Sequence, residues 1–244
     1  MLNHLPRTLS FLSGRPRRIA VLATVAFVCA AIAVGEVWLD EIQFELGYAF
    51  ESGSFHGWPY GFSRNHRRAA YWLHKAANSG HPRAQYMLGI LYAHGWGVAR
   101  DDGQAAKWFT RAANGSYGPS LYHLGWMYHK GDGVTRDYRR SMQLLERAAR
   151  QGMAAAHLAM GDFYERGEGV TMDLIQALKW YSLAVHYVRA RPNTFDNSGF
   201  AAKALTARDR LSNKMSQQQV TQAKMLVREW LSGHSEGQPV LMLD

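Results

Sequence analysis

Eleven histidines, one cysteine and three Gly-x-Gly pairs are the residues of this 244-residue chain that could do chemistry. A zinc hydrolase would place two imidazoles one helical turn apart with a carboxylate between them, as His-Glu-x-x-His, and that order does not occur. His123 and His129 fall six apart on one expected helix, too far around it to act as an adjacent pair. Cys29 stands alone, so neither Cys-x-x-Cys nor an intrachain disulfide can form. No Gly-x-Ser-x-Gly elbow is present. Gly95-Trp96-Gly97-Val98 could open a dinucleotide loop, but the third glycine is missing, no strand precedes it, and the pattern recurs. No catalytic, cofactor-binding or metal-ligating residue is therefore expected, and no cofactor.

The recurrence explains the glycines better. Leu88-Gly89-Ile90-Leu91-Tyr92-Ala93-His94-Gly95-Trp96-Gly97-Val98 returns from Leu124 to Val134 and from Met160 to Val170, each time 36 residues on. A period of this length marks a stack of helical hairpins. In each copy the glycine pair ends the first helix, where a left-handed residue would cost a side chain about 1–2 kcal/mol. Asp101, Asp137 and Asp173 then precede the second helix, placed to accept hydrogen bonds from its unpaired amides. Down the second helices, Trp72, Trp108, Leu144 and Trp180 align, as do Ala69, Ala105, Ser141 and Ala177, and Ala76, Ala112, Ala148 and Ala184. Small residues at a helix crossing with large rings beside them are a packing pattern.

Leu-Gly-x-x-Tyr, Gly-x-Gly-Val, then Asp, Ala and Trp, then Ala-Ala, resembles the Sel-one-like repeat, a relative of the tetratricopeptide repeat. The resemblance covers residues 84–119, 120–155 and 156–188. A degenerate first copy at about 42–83 carries six extra residues, placed within the aromatic stretch 55–62. Leu144, Ser141 and Val185 depart from the pattern conservatively. The implied fold is all-α, a right-handed α-solenoid of helix-turn-helix repeats. The resemblance implies a non-catalytic scaffold or adaptor for protein partners, and in exported members a role in bacterial envelope assembly, exopolysaccharide secretion or signalling.

Beyond the repeats, Arg191-Pro192-Asn193 and Asp196-Asn197-Ser198-Gly199 interrupt helical periodicity. Helices over about 200–214 and from a Ser216-to-Gln219 capping box to about Leu231 would form a C-terminal cap over 189–232, which such stacks need to cover their last apolar face. Residues 233–244 read as a flexible tail containing the apolar run Val240–Leu243.

At the other end, Arg7, Arg15, Arg17 and Arg18 lie within residues 1–18 and contribute four of the nine net positive charges. The rest of the chain mixes both signs, so no nucleic-acid partner is expected. Residues 19–35 are uncharged and apolar, long enough for a signal-anchor or a signal peptide cut after Ala31-Ile32-Ala33. Either way the arginines hold the cytoplasmic side and the repeat body, 36–188, faces the bacterial periplasm. The expected protein is single-pass in the inner membrane, or released into the periplasm after cleavage.

Partner-contacting residues are sought where the copies differ. The columns Met87/His123/Ala159, Ile90/Trp126/Asp162 and Ala93/His129/Glu165 change chemistry while their neighbours stay fixed. Met87, Ile90, His123, Trp126 and His129, with Trp58 of the aromatic stretch, are the candidate partner-binding residues. The alternative function, a released protein binding glycan or peptidoglycan fragments, would use Trp58 and Trp126.

Overall fold

The computed structural model describes residues 39–52, 64–190 and 198–233. The segment 19–35, the stretch 55–62 with Trp58, and the tail with Val240–Leu243 lie outside them. Among the described residues there are ten helices and no strand. They are α1 (Leu39–Ser52), α2 (His66–Asn78), α3 (Pro82–His94), α4 (Asp102–Asn114), α5 (Gly118–Lys130), α6 (Tyr138–Arg150), α7 (Ala154–Arg166), α8 (Leu174–Ala190), α9 (Ser198–Ser212) and α10 (Gln217–Gly233). The fold is all-α, made of repeated helical hairpins of the solenoid type. The chain divides after Ala112 into two compact units.

One turn chemistry closes each of the three regular repeats. The first helix of each regular copy ends on a left-handed glycine, Gly95 (φ 72°), Gly131 (φ 85°) or Gly167 (φ 70°), whose amide donates to Leu91, Met127 or Phe163 four residues back. The second glycine has a steric reason as well: a Cβ on Gly97 would sit 2.2 Å from the carbonyl of His66. The aspartates then cap as expected. Asp101 and Asp137 accept from Gln104 and Arg140 amides at 2.9 Å, and Asp173 accepts from Ile175 and Gln176. Each cap residue's own amide donates to a first-helix tyrosine carbonyl, from Asp101 to Tyr92, Asp137 to Tyr128 and Asp173 to Tyr164, at 2.9–3.0 Å. In the degenerate copy Asn65 takes the aspartate's part, accepting from Arg68 at 3.1 Å and donating to the Phe50 carbonyl at 2.8 Å.

The hairpins close through a column that the sequence patterns left unassigned. The small-residue column is fully buried at Ala69, Ala105, Ser141 and Ala177. The closest approach, however, runs from the first-helix glycine to the residue after the tryptophan column. A Cβ on Gly47 would meet Leu73 at 2.7 Å, on Gly89 Phe109 at 2.6 Å, on Gly125 Leu145 at 2.9 Å, and on Gly161 Tyr181 at 2.5 Å. These four glycines are vacancies into which a large side chain of the partner helix is pressed, which is how a short hairpin reaches interior packing density.

In the second unit α8 packs against α7, α9 and α10. Leu158, Tyr181, Val185, Ala204, Leu211 and Ala223 share one buried cluster there. Val185, which breaks the Ala-Ala pattern, is thereby accounted for: its larger side chain fills space against the cap. In α9 the buried residues are Ala204 and Leu211, while Ala202 is exposed. Ser198 and Gly199 open α9 instead of breaking it, since the first turn of a helix tolerates both types. The capping box of α10 is formed reciprocally: Gln219 donates its amide to Ser216 Oγ at 3.3 Å, and Ser216 donates its amide to Gln219 Oε1 at 2.9 Å.

Candidate functional site

Two of the three candidate residues on α5, Trp126 and His129, belong to a dense aromatic group in the second unit. The Trp126 ring meets Phe163 edge-on at 5.6 Å, His129 at 5.3 Å and Tyr122 at 6.4 Å. His129 stacks on Phe163 at 4.4 Å and leans on Tyr138 at 5.2 Å. The i, i+3 spacing of Trp126 and His129 puts both on the face turned to α7. Phe163 and Tyr138 complete the group. Their signals were weak, since Phe163 repeats the apolar positions Leu91 and Met127, and Tyr138 lies just past a turn.

Polar atoms in this group are unevenly satisfied. His129 Nε2 lies 3.2 Å from Glu168 Oε2. Burial pulls the His129 pKa below the ordinary histidine value; Glu168 opposes this, while Lys130, Arg136 and Arg166 add to it. Among the described residues, the Trp126 indole N–H and His129 Nδ1 are buried with no hydrogen-bond partner. Leaving such a group unpaired costs about 1–3 kcal/mol.

The other candidates separate. His123 is half-buried and meets Tyr122 edge-on at 5.6 Å. In the first unit, Met87 packs against the core of Leu73, Leu88 and Leu91, and Ile90 is half-buried on α3. Trp58 lies outside the described residues. In the last copy the same columns serve the cap. Asp162 Oδ1 and Glu165 Oε2 both lie 2.7 Å from the Tyr181 hydroxyl, and Arg210 of α9 donates to Glu165 at 2.7 Å. That hydrogen bond holds the Glu165 carboxyl below the usual carboxylate range against its partial burial. Burial and the two carboxylates push the Tyr181 phenol well above its ordinary value. Asp162 and Glu165, expected on a variable contact surface, are thus committed to an internal network. The last repeat must hold a cap where the others face another repeat.

Among the described residues, no group of three His, Cys, Asp or Glu side chains could hold a metal ion, and no helix is long and apolar enough to cross a membrane.

Helical hairpins recurring every 36 residues, with their side chains spent on packing and capping, define a helical-repeat scaffold. The chain belongs to the Sel1 repeat family, whose profile matches residues 41–81, 82–117, 118–153 and 154–185, about three fifths of the sequence. The last three of these copies begin with α3, α5 and α7, two residues ahead of the units drawn from the Leu-Gly motif. Among solved structures the chain is similar to a Sel1 repeat protein from Oxalobacter formigenes, at 25% identity over 78% of this chain and 87% of that one, with a TM-score of 0.57. Its fold is also similar to that of c5321, a protective antigen present in uropathogenic Escherichia coli strains and displaying an SLR fold. There the identity is 22%, the TM-score 0.51, and the match covers 91% of this chain and 53% of that one. No curated protein matches the chain. Sel1 repeats mediate protein–protein interaction, and the fold is typically a non-catalytic scaffold.

Proposed function

We propose that the protein is a non-catalytic adaptor at the bacterial cell envelope, binding protein partners through the first-helix face around Trp126. The observation that carries this reading is the Trp126 and His129 group. It sits where the copies differ most, and it leaves an indole N–H and an imidazole nitrogen buried without partners among the described residues. Aromatic side chains dominate interface energetics, and the Trp126 ring is only half-buried. The envelope setting is supported by the four arginines ahead of the uncharged run 19–35, which orient the repeats outside the cytoplasm.

The test is site-specific photo-crosslinking of the full chain in growing cells, with the crosslinker at His123 and, as a control, at the exposed Lys107. Discrete protein adducts from position 123 and none from position 107 are expected, in the membrane fraction. Retention of the chain on a peptidoglycan column, with no adduct at position 123, would overturn the adaptor in favour of a glycan-binding protein.

A further inference from the structure

A second feature of the second unit lies apart from the Trp126 group. Helices α6, α7, α8 and α10 line a cavity of about 470 Å³, within the range of about 300–1,000 Å³ common for ligand sites. Its centre of charge is Lys179 on α8. The ammonium lies 4.6 Å from the ring centroid of Trp180 and 5.2 Å from that of Trp230, two indoles packed edge-on at 4.9 Å. An ammonium carries three N–H donors, and indole faces offset only part of their lost hydration. No described residue accepts a hydrogen bond from it. The carboxylates that act on it are Glu229 and Glu146; Glu146 also lines the cavity, and its hydrogen bond to Arg150 at 2.7 Å offsets the charge it turns toward an incoming anion.

The surroundings suit one class of ligand. Arg139, exposed at the rim, adds a second positive charge. Met142, Met160 and Val170 supply apolar wall, and thioethers adapt to varied shapes. A ligand that fills this space has an anionic oxygen for Lys179 and apolar groups beside it. A sugar ring would need an indole face to stack on, whereas both indoles are engaged by Lys179 and by one another.

We propose that this cavity binds a carboxylate side chain of a partner protein, an Asp or Glu flanked by apolar residues, with Lys179 as its ion-pair partner. This deepens the adaptor reading and rests on it for the class of partner.

The test uses the immobilised full chain and a pool of N-acetylated, C-amidated nonapeptides randomised except for a central Glu, with a twin pool carrying a central Gln. The Glu pool is expected to be retained about tenfold better, as a charge-assisted hydrogen bond worth one factor of ten would give, and to elute with salt. Lys179→Met removes the preference while the circular dichroism spectrum stays unchanged. Should Lys179→Met not fold, Arg139→Glu at the exposed rim serves instead and reduces retention of the Glu pool severalfold. Equal retention of the two pools overturns the proposal, as does an unchanged preference in both variants. So does displacement of the bound peptides by an oligogalacturonate that binds more tightly. Adducts from position 123 in wild type and in Lys179→Met, alongside equal retention of the pools, would remove this site and leave the adaptor standing.

Discussion

Replacing Gly161 by alanine tests the packing argument most directly. The added Cβ would lie 2.5 Å from both Cδ1 and Cε1 of Tyr181 and 3.0 Å from Cζ, against about 3.5–4.0 Å for a comfortable carbon contact. One helix must therefore move by about 1 Å, or the ring must turn. The ring is fully buried and its hydroxyl is held at 2.7 Å by Asp162 and Glu165, so turning it would also break those bonds. Overpacking of this kind costs about 1–3 kcal/mol, with Tyr181 at the upper end. Alanine recovers about 1 kcal/mol over glycine in helix propensity. A net loss of about 2 kcal/mol is expected for Gly161→Ala, and about 1–2 kcal/mol for Gly89→Ala against the Phe109 ring at 2.6 Å. Gly125→Ala should cost the least of the three packed positions, because its approaches, 2.9 Å to Leu145 Cγ, 3.1 Å to Cδ2 and 3.4 Å to the Ser141 carbonyl oxygen, are the longest. Gly199→Ala, with nothing within 4 Å, should gain a few tenths of a kcal/mol. Urea unfolding followed by circular dichroism, with all four variants measured together, ranks them. Phe109→Leu in the Gly89→Ala background gives the same alanine–leucine pairing as Gly125→Ala beside Leu145 and should recover stability. If all four substitutions stabilise alike, the glycines are not packing vacancies.

Three further outcomes follow from the same geometry. Asp137→Ala removes the acceptor for the Arg140 amide and should cost about 1 kcal/mol in urea unfolding, whereas Asn65→Asp should be close to neutral because both types cap equally well. Arg210→Ala should destabilise the cap by about 1–2 kcal/mol, seen as faster amide exchange in α9 before α7, and Arg210→Lys should restore only part of it. Burial lowers the pKa of His74, His129 and His186 in the folded chain, so below about pH 6.5 the unfolded state takes up protons that the folded state refuses. Their contribution to stability is complete above that pH and is lost as pH falls from it through the lowered folded values. Thermal melts between pH 7.5 and 5.5 should show this, and His186→Gln should flatten the slope.

The turns and caps could be read from single residues because their chemistry is local: a glycine at positive φ and a carboxylate ahead of a helix act within four residues of themselves. The pairing of Gly161 with Tyr181 was harder to see. It joins positions twenty apart, and the column Leu73, Phe109, Leu145, Tyr181 varies in shape while keeping one job. Columns that vary between copies proved ambiguous for the same reason. Trp126 sits in an aromatic group with two orphaned nitrogens, yet Asp162 and Glu165 in the matching places hold Arg210 of the cap. Variation down a column records a change of neighbour, and the neighbour can be another helix of the same chain as readily as a partner. The Lys179 cavity had no sequence signature, since it needs Trp230, fifty residues past Trp180, to complete it.

The bond from the Asn65 amide to the Phe50 carbonyl spans fifteen residues where the corresponding bonds in the other repeats span nine. The chain thus leaves and re-enters the hairpin through the same hydrogen-bonded gate whether the intervening segment is short or long. Lengthening a closed loop is inexpensive, about 0.6 kcal/mol per doubling. That makes the interval between Phe50 and Asn65 a graft point: an epitope, a fluorophore-binding peptide or a protease site could be spliced there, or the six extra residues removed, without re-registering the helices on either side.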